Sequence, residues 1–432
     1  MEAKSVIIVG GSLTGLLHGL YLKRCGYHVV ILEQDRSPME RRDHQAGIAI
    51  GPSVIALMER YEATGREYVV HASTLTQIKS SQPTKRQLTR RLTNWVLLYR
   101  LLRANFDGFS SPACRHPPPA MDGDGRAEFR DGKRVTRLQY DKETGMVHVL
   151  YVDVATGEEA SISASLVLGA DGRRSTVRKL LTTSSLFSQL FASPSQGEYA
   201  GYITWRGTVP ECDMPSDTGN FFNDQVIIMY MKGSYMVIYV IPTEDGNTTP
   251  GSRLVNWAWY YPLPPDSAEM KSVFTDTRGV LHRFTVPKGL VQPQVWSHHL
   301  QRFIEQMAPP VAELLSKSTP FVTKIDDYMS SQGSFFDGHV ILVGDALAAP
   351  RPHIASATEQ AAQHCLQLAD VLTGKSSLQS RDQQALVEGK SALLRSRKVG
   401  LQLLGSFVSY RVAVLVEWWF HFKQKLRARF NL

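Results

Sequence analysis

A short apolar run, Val6-Ile7-Ile8-Val9, breaks into Gly10-Gly11-Ser12-Leu13-Thr14-Gly15 near the start of the chain. A helical stretch over residues 16–25 follows, then Gly26-Tyr27, a second apolar run Val29-Val30-Ile31-Leu32, and an acid, Glu33. The order predicts strand, glycine turn, helix and strand, closed by a carboxylate about twenty residues after the turn. Gly10 permits the sharp turn, the small residues at 11 and 12 admit a pyrophosphate, and Gly15 lets helix and strand approach closely. The helix then aims free N–H groups and its positive end at phosphates. Glu33 is placed to accept hydrogen bonds from a ribose. Ser12 stands where the G-x-G-x-x-G pattern has its middle glycine. The competing reading is an ordinary βαβ unit with no ligand.

At 432 residues, 43% of them apolar and 20% charged, the chain can bury a large core and has room for two or three domains of about 150 residues each. Cys25, Cys114, Cys212 and Cys365 are scattered, with no C-x-x-C pair. Neither a disulfide framework nor a zinc site is expected, which favours a reducing compartment. The charge of +8 comes from Lys and Arg spread along the chain. It predicts a basic surface that attracts anionic cofactors and substrates, not a nucleic-acid platform. The first apolar run is a buried strand, not a signal peptide. No stretch reaches the roughly eighteen consecutive apolar residues of a spanning helix.

Further along, residues 36–43 form a charged loop, and residues 45–52 a small-residue segment ending at a helix start near Ser53. The polar stretch 74–91 is expected to cross the surface or pair at a sheet edge, and 95–106 has helical spacing in Leu98, Leu101 and Leu102. Residues 110–126, with Pro117-Pro118-Pro119, read as an exposed loop. Strands are predicted at 147–154 and 165–168, joined through Ala155-Thr156-Gly157-Glu158. From 199 to 262 the texture is antiparallel, with strands at 199–209, 226–231, 235–241 and 254–261. Helix is predicted at 301–315, strand at 339–343, helix at 355–372 and a helical region thereafter.

Two more strand ends carry acids. Residues 165–168 run into Gly169-Ala170-Asp171-Gly172, and Val343 into Gly344-Asp345-Ala346, followed by Pro350-Arg351-Pro352-His353-Ile354-Ala355-Ser356-Ala357. In a doubly wound sheet the carboxyl edge is where ligands bind, and Asp345 suits a sugar or ribityl hydroxyl. Asp-Gly alone is also a common turn.

In this order the three signatures, with Trp95, Leu98-Tyr99-Arg100, residues 199–207, residues 256–260 and Arg351-Pro352-His353, resemble the class A flavin-dependent monooxygenases of the para-hydroxybenzoate hydroxylase-like fold. Within that family the chain is most similar to the 2,6-dihydroxypyridine hydroxylase-like enzymes. The resemblance implies an α/β (overall α+β) fold: a Rossmann-like FAD-binding domain, an antiparallel substrate domain and C-terminal helices. The FAD-binding domain would span residues 1–190, completed by 321–380 and carrying an insertion near 74–91. The substrate domain would span 191–320 and the helical region 381–432. Noncovalent FAD is implied, with NADPH or NADH as co-substrate and dioxygen as oxidant. A flavin C4a-hydroperoxide would then hydroxylate a small aromatic or N-heteroaromatic compound. Epoxidation of a prenylated or polycyclic precursor, and a non-catalytic flavin- or nucleotide-binding interaction protein, are the competing readings.

The resemblance implies cofactor contacts at Gly10, Gly11, Ser12, Leu13, Gly15, Glu33, Gln34, Gly47, Arg100, Arg103, Asp171, Asp345, Pro352, Ala355, Ser356 and Ala357. Trp95 occupies a place where many members carry Arg, so Arg100 or Arg103 would supply that contact to the diphosphate. Many members have Gly at the place of Ala357. Period-two alternation puts Tyr202, Thr204 and Arg206 on one face of a strand, with Ile203 and Trp205 on the other. Tyr202, Arg206 and His353 are the candidate catalytic residues, with Thr204, Tyr239 and Trp257 lining the substrate. Tyr235, Trp259 and Tyr260 read equally well as core. His353 is either a base for phenol deprotonation or a loop histidine that orients backbone. His298, His299 and His421 default to the surface, and no metal site is expected.

The C-terminal stretch 407–430 mixes apolar and tryptophan residues with Lys423, Lys425, Arg427 and Arg429. It reads either as a helix packed on the core or a second subunit, or as a peripheral membrane contact. A cytoplasmic enzyme, free or membrane-associated, monomeric or homodimeric, is the expectation.

Overall fold

A computed structural model describes residues 5–36, 46–79, 83–183 and 197–430. In chain order its first elements are β1 (Ser5–Val9), α1 (Leu13–Arg24), β2 (His28–Leu32), β3 (Gly47–Ile50), α2 (Pro52–Tyr61), β4 (Val70–Ile78), β5 (Thr84–Asn94) and α3 (Trp95–Asp107). There follow β6 (Ala127–Arg130), β7 (Lys133–Asp141), β8 (Met146–Asp153), β9 (Glu159–Ala164), β10 (Leu166–Gly169) and α4 (Thr176–Thr183). Next come β11 (Glu198–Pro210), α5 (Ser216–Phe221), β12 (Gln225–Met231), β13 (Ser234–Ile241), β14 (Leu254–Pro262), α6 (Ala268–Phe274), β15 (Thr285–Val286), α7 (Pro293–Gln301) and α8 (Pro309–Ser316). The chain closes with β16 (Phe321–Met329), β17 (Ser334–Phe335), β18 (Val340–Leu342), β19 (Ala348–Ala349), α9 (Ala357–Leu372), α10 (Leu378–Leu404) and α11 (Phe407–Phe430).

The apolar runs of β1, β2, β10 and β18 are buried on both faces, as parallel strands covered by helices must be. They lie in a six-stranded sheet of order β17-β18-β10-β1-β2-β6, parallel except at the β17 edge. The chain leaves β1 for β2 on one side and returns to β10 on the other, so a crevice opens at the carboxyl ends of β1 and β10. Gly10, with φ +105°, makes the turn out of β1. A Cβ on Gly15 would lie 2.0 Å from the Gly10 carbonyl oxygen, so only glycine lets α1 seat there. Helix α1 begins at Leu13, three residues before the predicted stretch, and is buried almost all round between the sheet, α3 and α9.

A ten-stranded sheet, β15-β16-β11-β14-β13-β12-β4-β5-β3 with β19 on β16, stands over this edge. Its back face carries Ile203, Trp205, Met236, Ile238, Trp257 and Trp259 into a core closed by α7 and α8. The described parts of the stretch 74–91 lie within this sheet in β4 and β5, with β4 parallel to β12 and antiparallel to β5. Strand β16, beyond the expected boundary at 321, pairs with β11, so that boundary cuts a strand pair.

Two local expectations fail. Residues 155–158 lead not to the second predicted strand but to β9, which folds back on β8 before β10 begins. Its sequence, Glu-Ala-Ser-Ile-Ser-Ala, is too polar to announce a strand and is largely exposed. The helix predicted at 301–315 is broken, since Pro309 and Pro310 start α8 afresh after a short 3-10 turn. Most of the charged loop 36–43, together with Gln45, lies outside the described residues.

Candidate active site

Four strand ends of the six-stranded sheet deliver the sequence-flagged residues to one edge. Glu33, 6% exposed, accepts hydrogen bonds from the N–H of Gly11 at 2.8 Å and of Asp35 at 3.0 Å. That bond draws Gly10 and Gly11 against the end of β2, with Ser12 as the N-cap of α1 and Leu13 in its first turn. The first turn leaves N–H groups without intrahelical acceptors, an anion site by construction. Gln34 is exposed beside it.

The two arginines part ways. Arg103 stacks 3.7 Å over the ring of Phe129, which itself abuts Gly11, and is held by Asp107 and the Tyr99 hydroxyl at 2.8–2.9 Å. Arg100 turns to the loop after β13, donating to the Glu244 carbonyl at 2.8 Å. Of the pair, Arg103 borders the glycine turn.

Asp171 closes β10 but spends its carboxylate as a helix cap. It accepts from Ser175 Oγ and from the N–H of Thr176 and Val177, the latter at 3.0 Å. Burial pushes its carboxyl up, against the pull of these bonds. Asp345 follows β18 and lies 3.6 Å from Arg173, whose guanidinium also binds Asp326 at 2.9 Å. Burial raises the Asp345 carboxyl too, with Arg173 opposing. Its turn is fixed from behind by Arg178, 1% exposed, donating to the Ala346 carbonyl at 2.8 Å, and by His364 Nδ1, accepting from Gly344 N–H at 2.9 Å. Arg173, Arg178 and His364 were not among the expected site residues; an arginine pair directly after Asp-Gly was the available signal for the first.

The segment after Asp345 is clamped from three sides. Arg351 Nε binds Asp327 at 2.6 Å, Arg397 of α10 binds the other oxygen of Asp327 at 2.6 Å, and Ser396 Oγ accepts from Arg351 N–H at 3.1 Å. Burial alone would raise the Asp327 carboxyl; the two guanidiniums outweigh it and hold the group below the usual carboxylate range. The clamp sets Pro352 and His353 in a short turn. Ala355 leaves it at φ +49°, a left-handed conformation that is strained for alanine and clusters at ligand sites. Ala355 and Ala357 are exposed at the start of α9, and Ser356 Oγ is buried there without a partner.

The front face of the ten-stranded sheet meets this segment. Register places Thr204 opposite Tyr260, Arg206 opposite Ala258, and Tyr239 opposite Asn256, all on one face. The Gly47 carbonyl accepts from Tyr239 OH at 2.9 Å and from Arg206 at 3.4 Å, while Gly47 N–H donates to Asn256 Oδ1 at 2.7 Å. Gly47, in β3 at the far edge of the same sheet, is thus held to its front face. Thr204 Oγ1, Arg206 Nε and Asn256 Nδ2 are buried here without partners.

Tyr202 joins a different cluster on the same face. Its hydroxyl meets His353 Nε2 at 2.5 Å, the Tyr235 hydroxyl meets Nδ1, and Tyr235 stacks on Tyr260 at 4.7 Å. Helix α10 covers the ring: a Cβ on Gly400 would lie 2.7 Å from His353 Nε2. Burial, with Arg351 adding, pushes the histidine down to about 3. The base reading of His353 is therefore corrected: the ring stays neutral and both nitrogens are held by phenols, so it orients rather than titrates.

Trp257 is also corrected. It opposes Gly207, not Arg206, and so points to the back of the sheet. There it is fully buried, donates to Ser318 Oγ at 2.9 Å and stacks on Trp296. Its neighbour Asn256 takes the front position, and Tyr235 and Tyr260, not clearly separable from core in the sequence, do as well. His299 is likewise not on the surface but packs among Trp205, Trp259 and Tyr261.

Residues 120–193 match the family described as "FAD binding domain", and residues 199–327 the family described as "FAD binding domain-like". The 2,6-dihydroxypyridine 3-monooxygenase of Paenarthrobacter nicotinovorans is 27% identical over 419 residues, covering 93% of this chain and 92% of that one. The 6-hydroxynicotinate 3-monooxygenase of Bordetella bronchiseptica is 22% identical over 377 residues, covering 84% and 81%. The structure of 2,6-dihydroxypyridine-3-hydroxylase from Arthrobacter nicotinovorans superposes with TM-score 0.76 at 24% identity over 94% of each chain. Klebsiella pneumoniae HpxO, complexed with FAD and uric acid, gives 0.65 at 19% identity, covering 98% of this chain and 93% of that chain.

The residues fit FAD. The Gly10–Gly15 approach, the open first turn of α1, the buried Glu33, Asp345 after β18 and the unpartnered Ser356 Oγ are the groups that would hold it along the carboxyl edge of the sheet.

Proposed function

Since this chain is a class A FAD-dependent monooxygenase, we propose that it hydroxylates a small hydroxylated aromatic or N-heteroaromatic compound that binds as an anion against Arg206. The observation that carries the reading is the front face of the sheet. Arg206 Nε and Asn256 Nδ2, two donors, and the Thr204 hydroxyl are all buried and unpartnered. Leaving a buried polar group unpaired costs about 1–3 kcal/mol, so a ligand rich in acceptor atoms belongs there. Tyr239 and Tyr260 flank them, and burial pushes both phenols up, so they stay neutral and the guanidinium is the local positive charge. A phenolate, pyridone oxygen or carboxylate on a flat ring satisfies all three donors. The relatives named for 2,6-dihydroxypyridine and 6-hydroxynicotinate act on rings of this kind.

FAD, when bound, takes electrons from NADPH or NADH and activates dioxygen for transfer of one atom to an electron-rich ring carbon. The chain's own part is binding and exclusion of water. Glu33 and the first turn of α1 would hold the nucleotide end and Asp345 the ribityl chain, with Arg103 bordering the glycine turn. The tyrosine–histidine cluster of Tyr202, Tyr235, Tyr260 and His353 builds an apolar wall with no proton to release near neutral pH. Arg206 favours the ionised substrate, which is the more electron-rich and reactive form.

A screen of hydroxylated aromatics and N-heteroaromatics for stimulated NAD(P)H oxidation, with product masses, tests the reading. Expected are a product heavier by one oxygen atom and, in Arg206→Met, a KM raised about tenfold or more with flavin content unchanged. An Arg206→Met enzyme with unaltered KM for the anionic substrate, or turnover only with alkenes, overturns it.

A further inference from the structure

Among the described residues, the large exposed apolar side chains concentrate on one element: nine of the fourteen lie on α11. Helix α11 returns antiparallel along α10, capped by Ser406, with Glu417 paired to Lys398 at 2.5 Å on the inner side. Tyr410, Ala413, Glu417 and Gln424 are half-buried on that side. The outer side carries Val408, Val412, Leu415, Trp419, Phe422 and Leu426 at alternating spacings of four and three residues, an apolar seam on the solvent face. Trp419 is 50% exposed and Phe422 39%, and Trp418 stacks on Phe422 at 5.4 Å. An apolar groove of about 490 Å³ between α10 and α11, lined by Leu394, Leu401, Val412 and Val416 among others, continues this surface inward.

Such a seam suits either a second helix or a lipid interface, and charge separates the two. The residues flanking it are Arg411, Lys423 and Lys425, with Arg427 beyond, all exposed. The only acid in α11 is Glu417, which faces inward. Helix pairing is directed by opposite charges beside the seam. A second copy of α11, in either orientation, would set cation against cation. A surface of negative charge over an apolar interior complements both features at once. No described helix is long and apolar enough to cross a membrane, so the helix would lie in the interface plane.

We propose that α11 is a docking helix for an anionic lipid membrane. Its tryptophans and aliphatic residues enter the headgroup boundary, and its terminal cations meet acidic headgroups. Helix α10 lies between α11 and the His353 cluster, so docking would hold the catalytic domains one helix layer from the lipid.

The test uses the full-length holoenzyme, sedimented with vesicles of phosphatidylcholine alone or mixed with phosphatidylserine. Binding to the mixed vesicles alone, released by salt, is expected. Lys423→Gln with Lys425→Gln should weaken it about fivefold per cation. Trp418→Ser with Trp419→Ser should weaken it further, while flavin content and turnover in solution are unchanged. No binding to the mixed vesicles, equal binding to both kinds, or a holoenzyme dimer that Trp419→Glu dissociates would overturn the proposal.

Discussion

Lowering the pH from about 7.5 to about 5.5 is expected to strip this protein of roughly 5 kcal/mol of stability, through four histidines buried as neutral rings, His353 of the tyrosine cluster among them. His18 is fully buried and its imidazole is pushed down to about 4, chiefly by burial. His299, 3% exposed, is pushed to about 3 by burial with Arg302 and His298 adding. His364, 1% exposed, lies well below its ordinary value through burial and the nearby Arg381 guanidinium. In the unfolded chain each titrates near 6.5. The unfolded chain therefore takes up the protons first: stability is complete above about 6.5 and falls as pH drops from there toward the folded values. One unit below that point each histidine contributes about 1.4 kcal/mol of loss, against a typical total of about 5–15 kcal/mol. Urea titrations of the holoprotein at fixed excess FAD across this range measure it, and the slope near pH 5.5 should approach four protons. His299→Leu isolates one of them, because His299 Nε2 has no hydrogen-bond partner to lose. That variant should bind about one proton fewer on unfolding. A midpoint independent of pH, or an unchanged slope in His299→Leu, would refute the reasoning.

Asp327→Asn should cost about 3 kcal/mol by leaving the buried guanidinium of Arg351 and the partly exposed one of Arg397 without their carboxylate, read as a lower urea midpoint near neutral pH. Because the folded carboxyl sits below its ordinary value, this contribution is present above about pH 4 and is lost as pH falls through the folded value. A loss under about 1 kcal/mol would mean the clamp is solvated like a surface pair. Asp345→Ala should weaken FAD binding by about tenfold to a hundredfold, measured by absorbance titration of the apoprotein; unchanged affinity would leave Asp345 as a partner of Arg173 alone.

The FAD-binding half was legible because its signals are local. A buried parallel strand reads as an unbroken apolar run, and the glycine turn, helix and acid follow within one βαβ unit, so Gly10, Gly15 and Glu33 fall where their spacing put them. The front face of the ten-stranded sheet was legible only in part, because it depends on parity. Within β11 the alternation of Tyr202, Thr204 and Arg206 against Ile203 and Trp205 could be read, and it holds. Across strands it could not. Nothing in Asn-Trp-Ala-Trp-Tyr says that residue 256 rather than 257 is level with the Arg206 face; only the pairing of Thr208 with Asn256 decides it. A shift of one residue exchanges a tryptophan core for an amide in the pocket.

Parity is not the whole difficulty, since α10 reaches the site without any motif at all. Its Arg397 holds Asp327, Ser396 receives the N–H of Arg351, and Gly400 lies against His353. At its start Arg381, 1% exposed, donates to the carbonyl of Leu342 at 3.1 Å, just before the Gly344-Asp345 turn. One helix therefore touches both the strand end that presents Asp345 and the turn that presents His353. These four residues are unremarkable in sequence because each acts through the backbone or a partner charge, not through chemistry of its own. Their spacing along a helix of 27 residues still matters. Arg381 and Arg397 lie more than four turns apart, at about 3.6 residues per turn, so α10 reaches from the end of β18 to the Asp327 clamp. A change at Gly400 would press on His353, and through Tyr202 and Tyr235 on the same sheet that carries Arg206. The carboxyl edge of the six-stranded sheet and the front face of the ten-stranded sheet are thus joined by contacts of a segment that carries no motif.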